Sequence, residues 1–166
     1  MKISSCLISQ NLNRGLTFKL RCKVFNEEGA FQRINLIYDT GAHVTTIRKD
    51  FLQELGYKIY TKSKVKTRTV NGFINMEQSS IEKLNIQGIE FHTIKQVNVF
   101  NTNNDDLEFH GVIGMDVISK LETLISFQLR KIIISSNPEN MNRELNKLDY
   151  NILSNVLEKS SVFTAK

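Results

Sequence analysis

The sequence predicts a mostly β protein with one or two short helices and an amphipathic helix at its C-terminal end. Three observations carry that prediction. Apolar and polar residues alternate through several runs between Leu16 and Ile134, the period-two pattern of half-buried strands. Gly, Asn and Asp break these runs at short intervals, as turns between strands require. Beyond Asn137 the apolar spacing changes to that of a helix. The 166 residues, 40% of them hydrophobic and 23% charged, suit one globular domain whose core needs no metal or disulfide staple.

Met1 to Arg14 is polar and irregular and reads as a loose lead-in, so residues 1–15 stand apart from a folded domain over residues 16–136. Leu16 to Val24 alternates as a first strand. Asn26-Glu27-Glu28-Gly29 turns the chain, and Phe31 to Tyr38 returns as a second strand. Val44 to Ile47 is β-branched and reads as a short strand. Arg48 to Leu55 follows as a short helix that buries Phe51, Leu52 and Leu55, with Gly56 as its C-terminal cap. Lys58 to Asn75 is a hairpin with Asn71-Gly72 near its tip, a strong short-range turn signal. Lys62, Lys64, Lys66 and Arg68 alternate along its first strand and share one face, read as a solvated face.

Ile81 to Ile86 and Ile89 to Phe100 continue the strand pattern around a turn at Gly88, and Asn101 to Asp106 is a polar loop. Gly111 to Asp116 is a short apolar strand closed by glycine that leads into a helix through about Leu121. Leu124 to Phe127 and Lys131 to Ile134 make a closing hairpin, and the run Ile132-Ile133-Ile134 predicts a strand buried on both faces. Residues 137–166 form a helical extension. Asn137 can cap it, Pro138 suits its first turn, and Leu145, Leu148, Ile152 and Val156 give it an apolar stripe.

The net charge of +5 admits an acidic partner, but the basic residues are spread and no nucleic-acid signature accompanies them. Nucleic acid is therefore not expected as a partner. Two cysteines, Cys6 and Cys22, without a Cys-x-x-Cys pair fit plain thiols in a reducing cytosol, and a cytoplasmic setting is expected. No apolar run approaches the ~18 residues of a membrane helix, so no membrane partner is expected.

The stretch that organises the rest is Leu36-Ile37-Tyr38-Asp39-Thr40-Gly41-Ala42. An apolar strand runs into an acid, and the chain then turns on a glycine that allows a close backbone approach. A carboxylate at the end of a buried strand must be paired or hydrogen-bonded. An Asp-Thr-Gly tripeptide alone would be an ordinary turn. Here it is followed by a Val70-Asn71-Gly72 hairpin and then by Val112-Ile113-Gly114-Met115-Asp116.

In that order, the three segments resemble the retropepsin-like aspartic proteases, single-domain relatives of pepsin, over about Leu16 to Ser135. The resemblance implies a closed β-barrel and a role for each matching residue. Asp39 would be the catalytic carboxylate, and Thr40 would interlock with its counterpart on a partner chain. Gly41 would allow the turn, with Ala42 beside it at the substrate cleft. Val70, Asn71 and Gly72 would form the tip of a flap over the substrate. Val112, Ile113 and Gly114 would pack beneath the Asp39 loop and support it. Such chemistry needs two opposed acids, and this chain has one Asp-Thr-Gly and no Asp-Ser-Gly. The second acid must come from a second chain, so a symmetric homodimer with Asp39 at the two-fold axis is expected.

Three departures from the family pattern stand out. Tyr38 replaces the usual aliphatic residue, Ser126 stands where many relatives carry an acid, and the compact members lack the helical tail. Ala42 stands where pepsin-like enzymes usually place a hydroxyl residue, so a mildly acidic working range is expected. His43, His92 and His110 lack metal-ligand spacing, and no metal or cofactor is expected. The expected function is an intracellular aspartic endopeptidase acting on a peptide or protein substrate. The alternative is a catalytically silent dimerisation or peptide-binding module on the same fold.

Overall fold

A computed structural model describes residues 3–7, 9–11, 15–69, 72–101, 109–126, 131–143 and 145–146. The strand pattern becomes a closed barrel. Strands β4 (Lys19–Phe25) and β5 (Phe31–Tyr38) pair antiparallel, from Lys19 opposite Ile37 to Phe25 opposite Phe31. Their alternation sends Leu20, Cys22, Val24, Ile34, Leu36 and Tyr38 inward. Strand β10 (Gly111–Ile113) lies parallel to β5 and antiparallel to β6 (Thr46–Arg48). Strand β6 runs parallel to β9 (Ile89–Phe100), which pairs antiparallel with β8 (Gly72–Ile86). The far end of β8 then pairs with β4, Cys22 opposite Ile86 and Phe25 opposite Lys83, and the ring of six strands is closed. Closure leaves no free edge around the core.

Strand β7 (Tyr60–Thr69) stands outside the ring and, among the described residues, pairs only with the first part of β8. The two form the long hairpin expected from Asn71-Gly72. Gly72 adopts φ 110° there, while Val70 and Asn71 lie outside the described residues. The pairing slips between Tyr60 and Val65 on one side of β8 and between Ser79 and Ile81 on the other. Such irregularities bend a strand, and they let one 15-residue strand serve both the hairpin and the barrel wall. Gln87 and Gly88 both have positive φ, the form of a tight two-residue hairpin between β8 and β9.

Helix α1 (Lys49–Glu54) buries Phe51 and Leu52 on the barrel, with Leu55 beside them. Gly56 ends it as expected. It has φ 80°, its N–H donates to Gln53 O at 2.9 Å, and Tyr57 N–H donates to Leu52 O at 2.9 Å. Those two bonds satisfy carbonyls that the last helical turn leaves open. Helix α2 (Met115–Ile118) is a single turn packed by Val117 and Ile118.

Two sequence readings change in the N-terminal part of the chain. Residues up to Arg14 are not wholly irregular: β1 (Ile3–Leu7) pairs with β12 (Lys131–Ser135), and β12 pairs with β11 (Glu122–Ser126). Its Ile-Ser-Ser-Cys-Leu run lacks a period-two alternation, but β12 supplies its partner. Its Ile132, Ile133 and Ile134 are all buried, as the triple isoleucine predicts. The run from Leu16 to Val24 is also not one strand. β3 (Gly15–Thr17) pairs with β2 (Ser9–Asn11), and the chain breaks at Phe18, whose carbonyl accepts Tyr38 N–H at 2.8 Å.

Asn137 caps the next segment. Its Oδ1 accepts Glu139 N–H at 2.8 Å, and residues 138–143 are helical. Leu148, Ile152 and Val156 lie outside the described residues. Among the described residues no helix is long and apolar enough to cross a membrane.

Candidate active site

Strand β5 delivers Tyr38 into the core and Asp39 just past its end. Asp39 is half-buried, Thr40 and Gly41 are exposed, and Ala42 is half-buried. The turn is tight: Ala42 N–H donates to Asp39 O at 3.2 Å, and Gly41 N–H donates to the carboxylate Oδ1 at 2.8 Å. A Cβ on residue 41 would sit 3.1 Å from that Oδ1, so glycine keeps this N–H close to the acid.

The back of the loop is laced to β10 and α2. Asp39 N–H donates to Ile113 O at 3.1 Å, Met115 N–H to Ala42 O at 2.8 Å and Asp116 N–H to His43 O at 3.2 Å. Val112 and Ile113 pair with Ile37 and Tyr38, directly beneath the acid. Gly114 lies so close that an added Cβ would fall 2.6 Å from the Val44 carbonyl carbon. The three expected support residues are thus against the Asp39 loop.

Sequence reasoning missed a further pair. Thr45 is fully buried, and both its N–H (2.9 Å) and its hydroxyl (2.8 Å) donate to Asp116 Oδ1. The same hydroxyl accepts Gly114 N–H at 3.1 Å. One oxygen therefore joins the loop, the glycine and α2. The expected strand Val44 to Ile47 begins later, at Thr46, because Thr45 is committed to this network. A buried threonine in a β-branched run gives no outward sign of that role. Gly111 belongs to the same close packing, since a Cβ there would meet Thr46 O at 2.0 Å.

Tyr38 has a structural explanation. It is 7% exposed, and its hydroxyl donates to Thr123 Oγ1 at 3.0 Å, tying β5 to β11. An aliphatic residue would fill the core without that link. His43 is exposed beside the loop. His110 instead accepts Asn35 N–H on Nδ1 at 3.2 Å and meets the Phe51 ring edge-on at 5.3 Å. Burial, then the Arg48 charge, holds its pKa below the usual histidine value.

On the hairpin, register places Val65, Thr67, Ile74 and Met76 on one face and Lys66, Arg68, Phe73 and Asn75 on the other. Buried Met76 and the 3.5 Å contact from Asn98 Nδ2 to Thr67 Oγ1 mark the first face as the one toward the barrel. Lys66 lies over the Phe73 ring on the outer face. Among the described residues no group of three His, Cys, Asp or Glu side chains could hold a metal ion.

A family model described as aspartyl protease matches residues 21–117, more than half of the chain. The chain belongs to the aspartyl protease family. Among solved structures, it is similar to a retropepsin-like aspartic protease from Rickettsia conorii, with a TM-score of 0.54 and 21% sequence identity. That match covers 80% of this chain and 91% of the other. No curated protein matches it in sequence. The closed barrel and few short helices are those of the retropepsin-like members, as the sequence motifs implied. Within this aspartyl protease, Asp39, Thr40, Gly41 and Ala42 form one loop, Val112, Ile113 and Gly114 lie behind it, and Gly72 sits on the separate hairpin.

Proposed function

We propose that this chain is an aspartic endopeptidase acting as a homodimer, with Asp39 of each subunit at the two-fold axis. The observation that carries the reading is the Asp39 loop, fastened along its back and open along its front. Asp39 Oδ1 is oriented by Gly41 N–H, and among the described residues no second carboxylate or cation is bonded to Asp39. Asp116 lies behind the loop, with its Oδ1 held by Thr45 and its Oδ2 buried. A two-acid mechanism therefore requires a second copy.

Two such carboxyls cannot both ionise, so they share one proton, as is general for this class of protease. The ionised one takes a proton from water as the water oxygen attacks the peptide carbonyl carbon. The protonated one gives its proton to the carbonyl oxygen, forming a neutral diol. Collapse of the diol returns a proton to the dyad, the C–N bond breaks, and a dyad acid protonates the leaving amine. Thr40, exposed beside Asp39, would interlock with its counterpart on the partner chain. Val70, Asn71 and Gly72 close over an extended substrate, which binds through backbone hydrogen bonds between flap and floor. No cofactor is required by this scheme. The sparse cysteine usage, two residues without a Cys-x-x-Cys pair, fits a reducing, cytoplasmic setting.

Cleavage of a randomised peptide library across roughly pH 3 to 8, with Asp39→Ala beside the wild type, tests the reading. Cleavage by the wild type alone, strongest at mildly acidic pH, is expected. A dimeric wild-type preparation that cuts nothing would favour a peptide-binding module instead.

A further inference from the structure

Outside the Asp39 loop, the outer wall of the barrel carries a concavity of about 700 Å³ between β4, β5 and the β8–β9 turn. Its lining includes Arg21, Lys23, Arg33, Asn35, Asn85 and Gln87. Lys23 lies directly opposite Arg33 across the β4–β5 ladder, and Arg21 opposite Asn35, diagonal to Arg33. Like charges directly opposite on neighbouring strands repel. Among the described residues no acidic side chain pairs with Arg21, Lys23 or Arg33. Lys23 lies instead over the Phe31 ring at 4.7 Å. The neighbouring Lys83 shows the contrast, since it has Glu90 at 2.8 Å. Lys23 on β4 is paired on both sides, with Arg33 on β5 and with Asn85 on β8, so the floor of the concavity offers side chains rather than a free backbone edge.

We propose that this concavity is an anion-binding site for a small molecule carrying two or more phosphate or carboxylate groups. Two guanidinium forks and one ammonium offer donors whose geometry suits planar or tetrahedral oxyanions. Asn35 and Gln87 add neutral polar groups at the rim. A volume near 700 Å³ lies within the range of small-molecule sites and exceeds what a single phosphate fills. A bound polyanion would relieve the repulsion between Lys23 and Arg33 that the protein alone leaves uncompensated.

Titration calorimetry with sodium tripolyphosphate at low ionic strength tests this on the full chain. Wild type is expected to bind one equivalent per chain and to melt at higher temperature in its presence. Arg21→Gln/Arg33→Gln should weaken binding at least about tenfold. In anion-free buffer it should melt no lower than wild type, because it loses repulsion and no partner. Arg33→Gln alone carries the same expectation at smaller size. Lys66→Gln/Arg68→Gln, an equal loss of charge on the flap, should leave binding unchanged. Absence of wild-type binding, or equal weakening by the flap control, would overturn the assignment. Binding of hexaglutamate without tripolyphosphate would overturn it too, by making a protein chain the source of the anion. None of these readouts depends on peptidase activity.

Discussion

The support of the acid rests on very few atoms, and the Thr45 hydroxyl is central among them. It donates to Asp116 Oδ1, accepts from Gly114 N–H, and is wholly shielded from water. Thr45→Val keeps the shape and removes both bonds, leaving a buried N–H unpaired and a carboxylate with one donor fewer. A cost of about 2–4 kcal/mol is expected in urea denaturation. Thr45→Ser, which keeps the hydroxyl, should cost only about 1 kcal/mol. If both cost the same, the hydroxyl is not what matters. Gly114→Ala is a harsher change, since its Cβ would meet backbone at 2.6 Å and backbone cannot swing aside as a side chain can. It should lower stability by at least about 2 kcal/mol and, because Gly114 backs the loop, lower peptide cleavage as well. The glycines of this site announce themselves in the sequence. Thr45 does not, because a hydroxyl's partner lies 71 positions away and only the folded chain brings it there.

Between elements, legibility followed how local the cause was. The cap at Gly56, the turn at Gly88 and the cap at Asn137 were readable because their bonds lie within a few residues. Strand β1 was not, because its pairing with β12 is set by a partner over a hundred residues distant. The break at Phe18 was hidden for a similar reason, since the residues on either side of it pair with different strands, β2 before it and β5 after it. His110 joins elements in this non-local way. Its ring accepts from β5 and packs on α1, and its carbonyl accepts Arg48 N–H at 2.9 Å from β6. Its pKa is lowered by burial and by Arg48, so the unfolded chain binds the proton more readily than the folded one. The neutral ring therefore adds stability above the unfolded value of about 6.5, and that stability is lost as pH falls through the lower folded value. His110→Asn keeps an acceptor near Asn35 N–H and cannot titrate. Its melting temperature should fall less than that of wild type between neutral pH and pH 5, in buffers of matched ionic strength. Parallel curves would remove His110 from the acid response.

At the scale of the whole molecule, the barrel is complete in one chain while the proposed chemistry is not. Each strand of the ring has two neighbours, so folding the core asks nothing of a partner. The Asp39 loop, by contrast, presents one acid, an exposed threonine and an exposed glycine on its open side. Stability and activity should therefore respond differently to dilution. Diluting the protein should reduce cleavage per chain once dimers dissociate, while the barrel strands keep their circular-dichroism signal. Subunit mixing gives a sharper version. If each active centre takes one Asp39 from each chain, an Asp39→Asn subunit inactivates every dimer it enters. Adding an equal amount of Asp39→Asn protein to a fixed amount of wild type, with free exchange and full dimerisation, leaves about half of the wild-type chains paired with each other. Cleavage should then fall to about half, and further as the variant is added in excess. Activity that stays constant on mixing would mean that one chain carries the whole reaction, and the shared-dyad mechanism would fail even if Asp39 itself proved essential.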